Sequence, residues 1–362
     1  MTNLALAHDY LLVQRGAERS FLEMTKVWPD APVYTLLYDA EEMAGQLPGR
    51  RVHTSYLQRL PIKQDNFRRL LPLFPHAAES LDVSEYDVLV SSSSAYAHGL
   101  RVREGAAHVC YCYTPFRYAW YEQARALNEV PALARPLLRH SLKRMRRWDR
   151  RAAERVTGYV AISELSRRRI AQYFGRQATV VHPPVDTGRF GPGEPEDFFL
   201  VASELVGHKR VDLALEAARR SGQRVKVVGG GPDEERLRVE YGDVAEFLGR
   251  VSDAELAALY PRCRAFVMPS TEEFGIAAVE AQAAGRPVLA TDAGGAREPV
   301  VPEQTGCLVE PDNVDAMASA MRDFDWDGPA TDDLVANADR FSAETFRERM
   351  LDEVTRICAE AR

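Results

Sequence analysis

Cysteine is scarce and unpatterned in this chain of 362 residues. Five occur, Cys110, Cys112, Cys263, Cys307 and Cys358, and none forms a Cys-x-x-Cys pair. An odd, unpaired set argues against a disulfide framework and fits a reducing, cytoplasmic setting. Cys110 and Cys112 alternate within Val109–Tyr113 and so share one face of a strand; with no third or fourth ligand nearby they read as buried thiols rather than a metal site. No apolar run reaches the ~18–20 residues that cross a bilayer. Residues 1–9 lack a basic n-region, so no signal peptide is expected there. Net basic charge is missing too. The chain has 46 Lys and Arg against 53 Asp and Glu, a formal charge of −7, so no global field recruits nucleic acid. The Gly-x-Gly-x-x-Gly fingerprint of nicotinamide enzymes is also absent. The run Gly229-Gly230-Gly231 lacks the third glycine and the acidic residue about 20 positions on.

What is present is apolar content, 46% of residues, enough for two cores. The length suits two α/β domains of about 150–180 residues. Leu4–Ala7 reads as a buried strand, followed by a polar loop and a helix over Ala17–Trp28. Tyr86–Val90, Val109–Tyr113, Gly158–Ile162 and Thr179–Val181 read as further strands, with Ser91–Ser94 as a loop. Strands alternating with helices imply a parallel sheet. Prolines and glycines crowd His182–Pro195 and break the rhythm. A second alternation follows, from strand Phe198–Ala202 to strand Pro287–Ala290. The expected domains are 1–185 and 186–342, with a capped amphipathic helix over 343–362 packing back on the first.

Arg135–Arg155 carries nine Arg or Lys against Asp149 and Glu154, with Leu138, Leu142, Met145, Trp148 and Ala152 at helical spacing. This is a basic amphipathic helix. It reads first as a surface helix docked on its own sheet, and second as a contact for anionic lipid headgroups or an anionic acceptor.

The chemistry concentrates in Pro269–Leu289. A strand ends at Pro269, so Ser270–Gly275 lies at the sheet's C-terminal edge, where open α/β sheets bind ligands. The next helix starts near Gly275, and its N-terminal amides suit sugar oxygens or phosphate. Glu272 can accept from sugar hydroxyls, and Glu280, about one turn into the helix, can reach a ribose diol. Two glutamates at one spacing are weak evidence alone. The whole segment, however, resembles the E-x7-E motif of the family 4 retaining glycosyltransferases. Phe247–Val251, Leu256–Tyr260, Ala265–Pro269, Thr291–Glu298 and Thr305–Val309 extend the likeness.

The resemblance implies a GT-B fold: two Rossmann-like domains facing each other across a cleft. It implies a retaining transfer of a sugar from a nucleoside-diphosphate donor. The branch most alike uses GDP-mannose. Glu272 would bind the donor sugar with the amides of Phe274, Gly275 and Ile276, Glu280 the ribose, Lys209 the diphosphate, and Gly16 the donor phosphate from the first domain. The base would be read largely by backbone groups near Val251. A leaving diphosphate needs cations as its charge develops. Where many members place an arginine clamp this chain has Glu204, so either Arg210 or the Gly229–Gly231 loop compensates, with tight turn geometry as the equal reading of the glycine run, or the donor is unusual. His8, Asp9, Arg117 and Tyr118 are the acceptor-side candidates, with packing as the alternative for Tyr118 and Trp120. His98 is expected in the cleft beside the reaction. Tyr113 stands where the branch usually has histidine; it can hydrogen-bond a sugar but cannot serve as a near-neutral base. In the implied mechanism the leaving phosphate takes the acceptor's proton, and no metal or other cofactor is required. Asp323–Asp327 is DxD-like but reads as a polar loop. The acceptor would be a glycan, a lipid-linked sugar or a small molecule, with no nucleic acid. The alternatives are a non-catalytic or altered-specificity homologue and a nucleotide-sugar epimerase.

Overall fold

The structure is a computed structural model that describes residues 3–60, 70 and 72–361. The chain divides into two compact units. One comprises Met1–His182 and Phe346–Arg362, the other Pro183–Thr345. The first unit thus closes at His182, just ahead of the proline pair.

The first unit holds strands β1 (Leu4–His8), β2 (Val33–Thr35), β3 (Val52–Thr54), β4 (Val88–Ser93), β5 (Ala107–Cys112), β6 (Gly158–Ala161) and β7 (Ala178–Val180). They form one parallel sheet in the order β3-β2-β1-β4-β5-β6-β7. The order reverses between β1 and β4, a topological switch point. The central strands β4 and β5 are buried along their whole length, as parallel strands covered on both faces must be.

Strand β4 begins and ends later than its apolar run suggests. Ser91 and Ser92 pair with both β1 and β5, and Ser93 pairs with β5. Buried hydroxyls are costly unless bonded, and here each one is: to His108, to His8 and Tyr113, and to Asp9 respectively. The serines therefore belong to the sheet.

The basic helix spans Arg135–Arg155, as its periodicity predicts. Leu142, Met145, Trp148, Ala152 and Ala153 are buried in the same clusters as Ala5, Ala7 and Leu89 or Cys110, Cys112 and Ala161. Its apolar stripe is docked on its own sheet. The last helix, Ala343–Glu360, packs on the first unit through Phe346, which meets Tyr111 edge-on at 5.5 Å. Ser342 caps it, accepting from the Thr345 amide.

The second unit holds β8 (Phe199–Ala202), β9 (Val225–Val228), β10 (Ala245–Gly249), β11 (Ala265–Met268), β12 (Val288–Thr291) and β13 (Gly306–Val309). All pair in parallel in the order β10-β9-β8-β11-β12-β13, with the switch point between β8 and β11. Alternate residues of each strand enter two separate cores on the two faces, for example Val267 in one and Phe266 and Met268 in the other. The Asp323–Asp327 segment is anchored by Trp326, buried beside Phe199 and Phe324. Asp323 pairs with Arg322.

Candidate functional site

The second unit's switch point brings two loops side by side. β8 leads through Ser203–Leu205 into a 3-10 turn over Gly207–Lys209. β11 leads through Pro269 and Ser270 to Glu272. Lys209 Nζ lies 2.7 Å from both carboxylate oxygens of Glu272. Ser270 Oγ donates to Glu272 Oε1 at 2.6 Å. The Lys209 and Glu272 side chains are about a quarter exposed, 26% and 24%, so the pair is shielded yet reachable. Two residues 63 apart in sequence thus meet at the sheet edge where the fold binds ligands.

Close backbone contact fixes the Glu272 loop. Gly295 donates its amide to the Glu272 carbonyl at 2.8 Å, and a Cβ at Gly294 or Gly295 would collide with the backbone of residues 272–274. Phe274 is buried, with its ring against Phe341 at 5.2 Å. Gly275, at φ 104°, starts the helix Ile276–Ala283, which no side chain caps. Its first amides point out of the helix end beside Glu272. Glu280 lies further along this helix and accepts a hydrogen bond from Tyr260. Val251 packs in the same apolar cluster as Tyr260.

The two groups expected to compensate for Glu204 both have partners within the second unit. Arg210 stands in a left-handed conformation, φ 50°, and its guanidinium is engaged by Asp312 and, at 3.6 Å, by Asp212. A diphosphate at Arg210 would compete with these two carboxylates. The Gly229–Gly231 run is glycine because it lies against the β8 loop: a Cβ at Gly229 or Gly231 would meet the carbonyl of Ser203 or Leu205. Leu205 and Gly230 are also hydrogen-bonded. Glu204 is exposed.

At the first unit's edge several expected acceptor residues turn out to be internal. Asp9 is 1% exposed and accepts five hydrogen bonds, from the Ser93 and Ser94 hydroxyls and the amides of Ser94, Tyr96 and Ala97. It folds the loop after β4 and has little capacity left for a ligand. His8 is likewise buried, bonded to Ser92 Oγ at 3.0 Å, 3.8 Å from Glu18 and stacked on Phe21. Its ring is part of the packing rather than an open wall. Tyr113 joins this network: its hydroxyl lies 2.9 Å from Ser92 Oγ and donates to the Ala17 carbonyl at 2.7 Å. Burial pushes its phenol well above the usual range, so it is a donor, never a base. Gly16 opens the helix Gly16–Val27, whose first turn is closed by Glu18 accepting from the Arg15 amide.

His98 departs most from expectation. It is 3% exposed, not on an open loop. Tyr159 OH lies 2.9 Å from Nδ1, Asp149 Oδ1 2.8 Å from Nε2, and Phe174 stacks on the ring. The turn Ala97–Gly99 tucks it inward because Gly99 lies directly on the Trp148 indole. With Nδ1 hydrogen-bonded and Nε2 against the Asp149 carboxylate, His98 sits inside the core of the first unit rather than in an open cleft. Trp120 donates to Asp149 at 2.6 Å and stacks on Tyr173; Tyr118 packs edge-on to Phe116. Both aromatics are half-buried and take part in packing. Arg117 stays partly exposed, 4.0 Å from Glu122.

Ser270 and Tyr260 were not singled out from sequence. A serine right after a strand-ending proline is a weak signal, and Tyr260 lies 20 residues before the glutamate it serves.

Two parallel six- and seven-stranded units of Rossmann order, one with a charged pair at its switch point, define a GT-B protein. Residues 14–189 match the family described as Glycosyltransferase Family 4, and residues 186–341 match Glycosyl transferases group 1. The chain belongs to the family 4 glycosyltransferases of the GT-B fold. It is 34% identical over 203 residues to the D-inositol 3-phosphate glycosyltransferase of Streptomyces avermitilis, covering 47% of this chain and 44% of that protein. It is also 34% identical over 197 residues to the GDP-mannose-dependent alpha-(1-6)-phosphatidylinositol monomannoside mannosyltransferase of Mycobacterium tuberculosis, covering 45% and 51%. The chain thus spans about half the length of the curated relatives it matches. Among solved structures, Anabaena HepE in complex with UDP superposes with a TM-score of 0.72 at 17% identity, over 97% of this chain and 99% of that one. That likeness concerns the fold.

Proposed function

We propose that this chain transfers a hexose, mannose by our reading, from a nucleoside-diphosphate sugar to a glycan, lipid-linked or small-molecule acceptor, with retention at the anomeric carbon. The observation that carries the proposal is the Lys209–Glu272 pair at the switch point, 2.7 Å across, inside the family-matched segment. Lys209 meets the diphosphate, Glu272 accepts from the sugar hydroxyls, the amides of Phe274, Gly275 and Ile276 support both, and Glu280 takes the ribose diol. Val251 lies toward the base, and Gly16 belongs to the donor side of the first unit. The acceptor oxygen attacks the face that the diphosphate leaves, and the leaving phosphate takes its proton. The protein supplies position and positive charge, so neither metal nor other cofactor enters the scheme.

GDP-mannose is the first donor to test, in line with the mannosyltransferase relative. UDP-sugars are the second, because the Anabaena neighbour was solved with UDP. Among the described residues, no helix is long and apolar enough to cross a membrane. A peripheral contact with the inner membrane face falls to the helix Arg135–Arg155, where Arg139, Lys143, Arg144 and Arg147 are exposed and Leu137 is 71% exposed near its start. Charge reversal at Arg144 and Arg147 is expected to abolish sedimentation with vesicles containing anionic lipid; unchanged sedimentation would return this helix to a purely structural role.

The test of the function is nucleoside diphosphate release with a panel of GDP-, UDP-, ADP- and dTDP-sugars. One donor is expected to support turnover that Glu272→Ala abolishes while the melting temperature holds. Wild-type release rates in Glu272→Ala would refute the assignment.

A further inference from the structure

Tyr260 follows the helix Asp253–Leu259 and opens a 3-10 turn over Tyr260–Arg262. Its side chain is fully buried. Phe190 meets the ring edge-on at 5.5 Å and Phe266 lies at 5.6 Å, so a phenylalanine would fill the same space. The hydroxyl is not needed for packing. A buried phenol is nevertheless costly unless its O–H is used. Here it donates to Glu280 Oε2 at 2.8 Å.

Glu280 sits on the helix Ile276–Ala283, half-buried. A glutamate has three rotatable bonds, and aiming its carboxylate at a vicinal diol requires that its plane be held. Tyr260 supplies that restraint from the dry side. Burial, reinforced by the neighbouring carboxylate, raises its pKa well above the ordinary phenol value, so the O–H remains a donor wherever the protein is folded.

We propose that Tyr260 is a positioning residue for nucleotide recognition: by holding Oε2 of Glu280 it orients this carboxylate toward the ribose diol of the donor. The proposal rests on the reading of Glu280 as the ribose acceptor. It adds a residue that touches no ligand and acts through another side chain.

The experiment compares Tyr260→Phe, Glu280→Gln and wild type in binding a nucleoside diphosphate and its 2′-deoxy analogue, using whichever of GDP and UDP binds wild type more tightly. A hydrogen bond to a charged group is worth about tenfold in affinity. Wild type is expected to prefer the ribonucleotide. Tyr260→Phe is expected to lose about tenfold for the ribonucleotide, to bind the deoxy analogue as before, and to raise the donor KM with kcat unchanged. A merely structural role would weaken both ligands alike, and that outcome overturns the proposal. So does a Tyr260→Phe variant that keeps the full ribose preference while Glu280→Gln loses it, which leaves the ribose reading intact. If wild type shows no ribose preference, or binds neither nucleotide, the reading of Glu280 falls and the proposal falls with it.

Discussion

Lys209 and Glu272 form an ion pair, with the ammonium 2.7 Å from both carboxylate oxygens. In the proposed reading a diphosphate bound at Lys209 competes with Glu272 for the ammonium. The freed carboxylate then needs new donors, and sugar hydroxyls are suited to be those donors. Under the proposed function the two halves of a nucleotide sugar are energetically linked at this pair.

Ser270, a residue 3% exposed, holds Glu272 through a 2.6 Å hydrogen bond from its hydroxyl. Ser270→Ala removes the restraint without opening a large cavity. Turnover at limiting donor is expected to fall about tenfold, the worth of a hydrogen bond to a charged group, with an unchanged melting temperature. Steady-state kinetics checks it; wild-type kcat/KM for the donor would show that Ser270 does nothing for Glu272.

Asp9 belongs to stability rather than to ligand binding. Its carboxylate accepts from three backbone amides and two hydroxyls in a buried loop. Asp9→Ala leaves those donors unpaired, and the expected cost is about 3–5 kcal/mol, toward the upper end for single substitutions. Urea denaturation measures it. A loss under about 1 kcal/mol would return Asp9 to the list of candidate ligands.

His108 sets an acid limit. It is fully buried on Ser91, and desolvation, helped by nearby positive charge, lowers its pKa to about 3. The unfolded chain binds a proton near pH 6.5, so between pH 6.5 and 3 unfolding takes up a proton. Its stabilising effect is full above pH 6.5 and is lost as pH falls through that window, with a slope of up to about 1.4 kcal/mol per pH unit. Between pH 6.5 and 5 this amounts to roughly 1.5–2 kcal/mol. His108→Gln is expected to flatten that part of the profile. An identical slope in the variant would assign the acid sensitivity elsewhere.

Much of this fold was legible because parallel sheets announce themselves as apolar runs split by helices. β9 is matched to the residue, and the basic helix Arg135–Arg155 shows its docked stripe in the spacing of Leu142, Met145, Trp148 and Ala152. What escaped was polar burial. Ser91–Ser93 looked like a loop because their hydroxyl partners, His108, His8 and Asp9, come from other strands. His98 reads as a cleft residue for the same reason, since Asp149 and Tyr159 lie 51 and 61 positions away. At the candidate site, the residue types of Glu272, Glu280 and Lys209 could be read from their motif. Their partners could not. The pairing of Lys209 with Glu272 depends on β8 and β11 being neighbours, and Tyr260 reaches Glu280 only through the fold.

The central claim is tested most directly by calorimetric titration of wild type, Lys209→Ala and Glu272→Ala with a nucleoside diphosphate and the matching nucleotide sugar. The account predicts that Lys209→Ala weakens both ligands. It predicts that Glu272→Ala weakens the nucleotide sugar alone and binds the bare diphosphate at least as tightly as wild type, since its lysine is released. Equal weakening of both ligands by Glu272→Ala, or undiminished binding of both by Lys209→Ala, would contradict it.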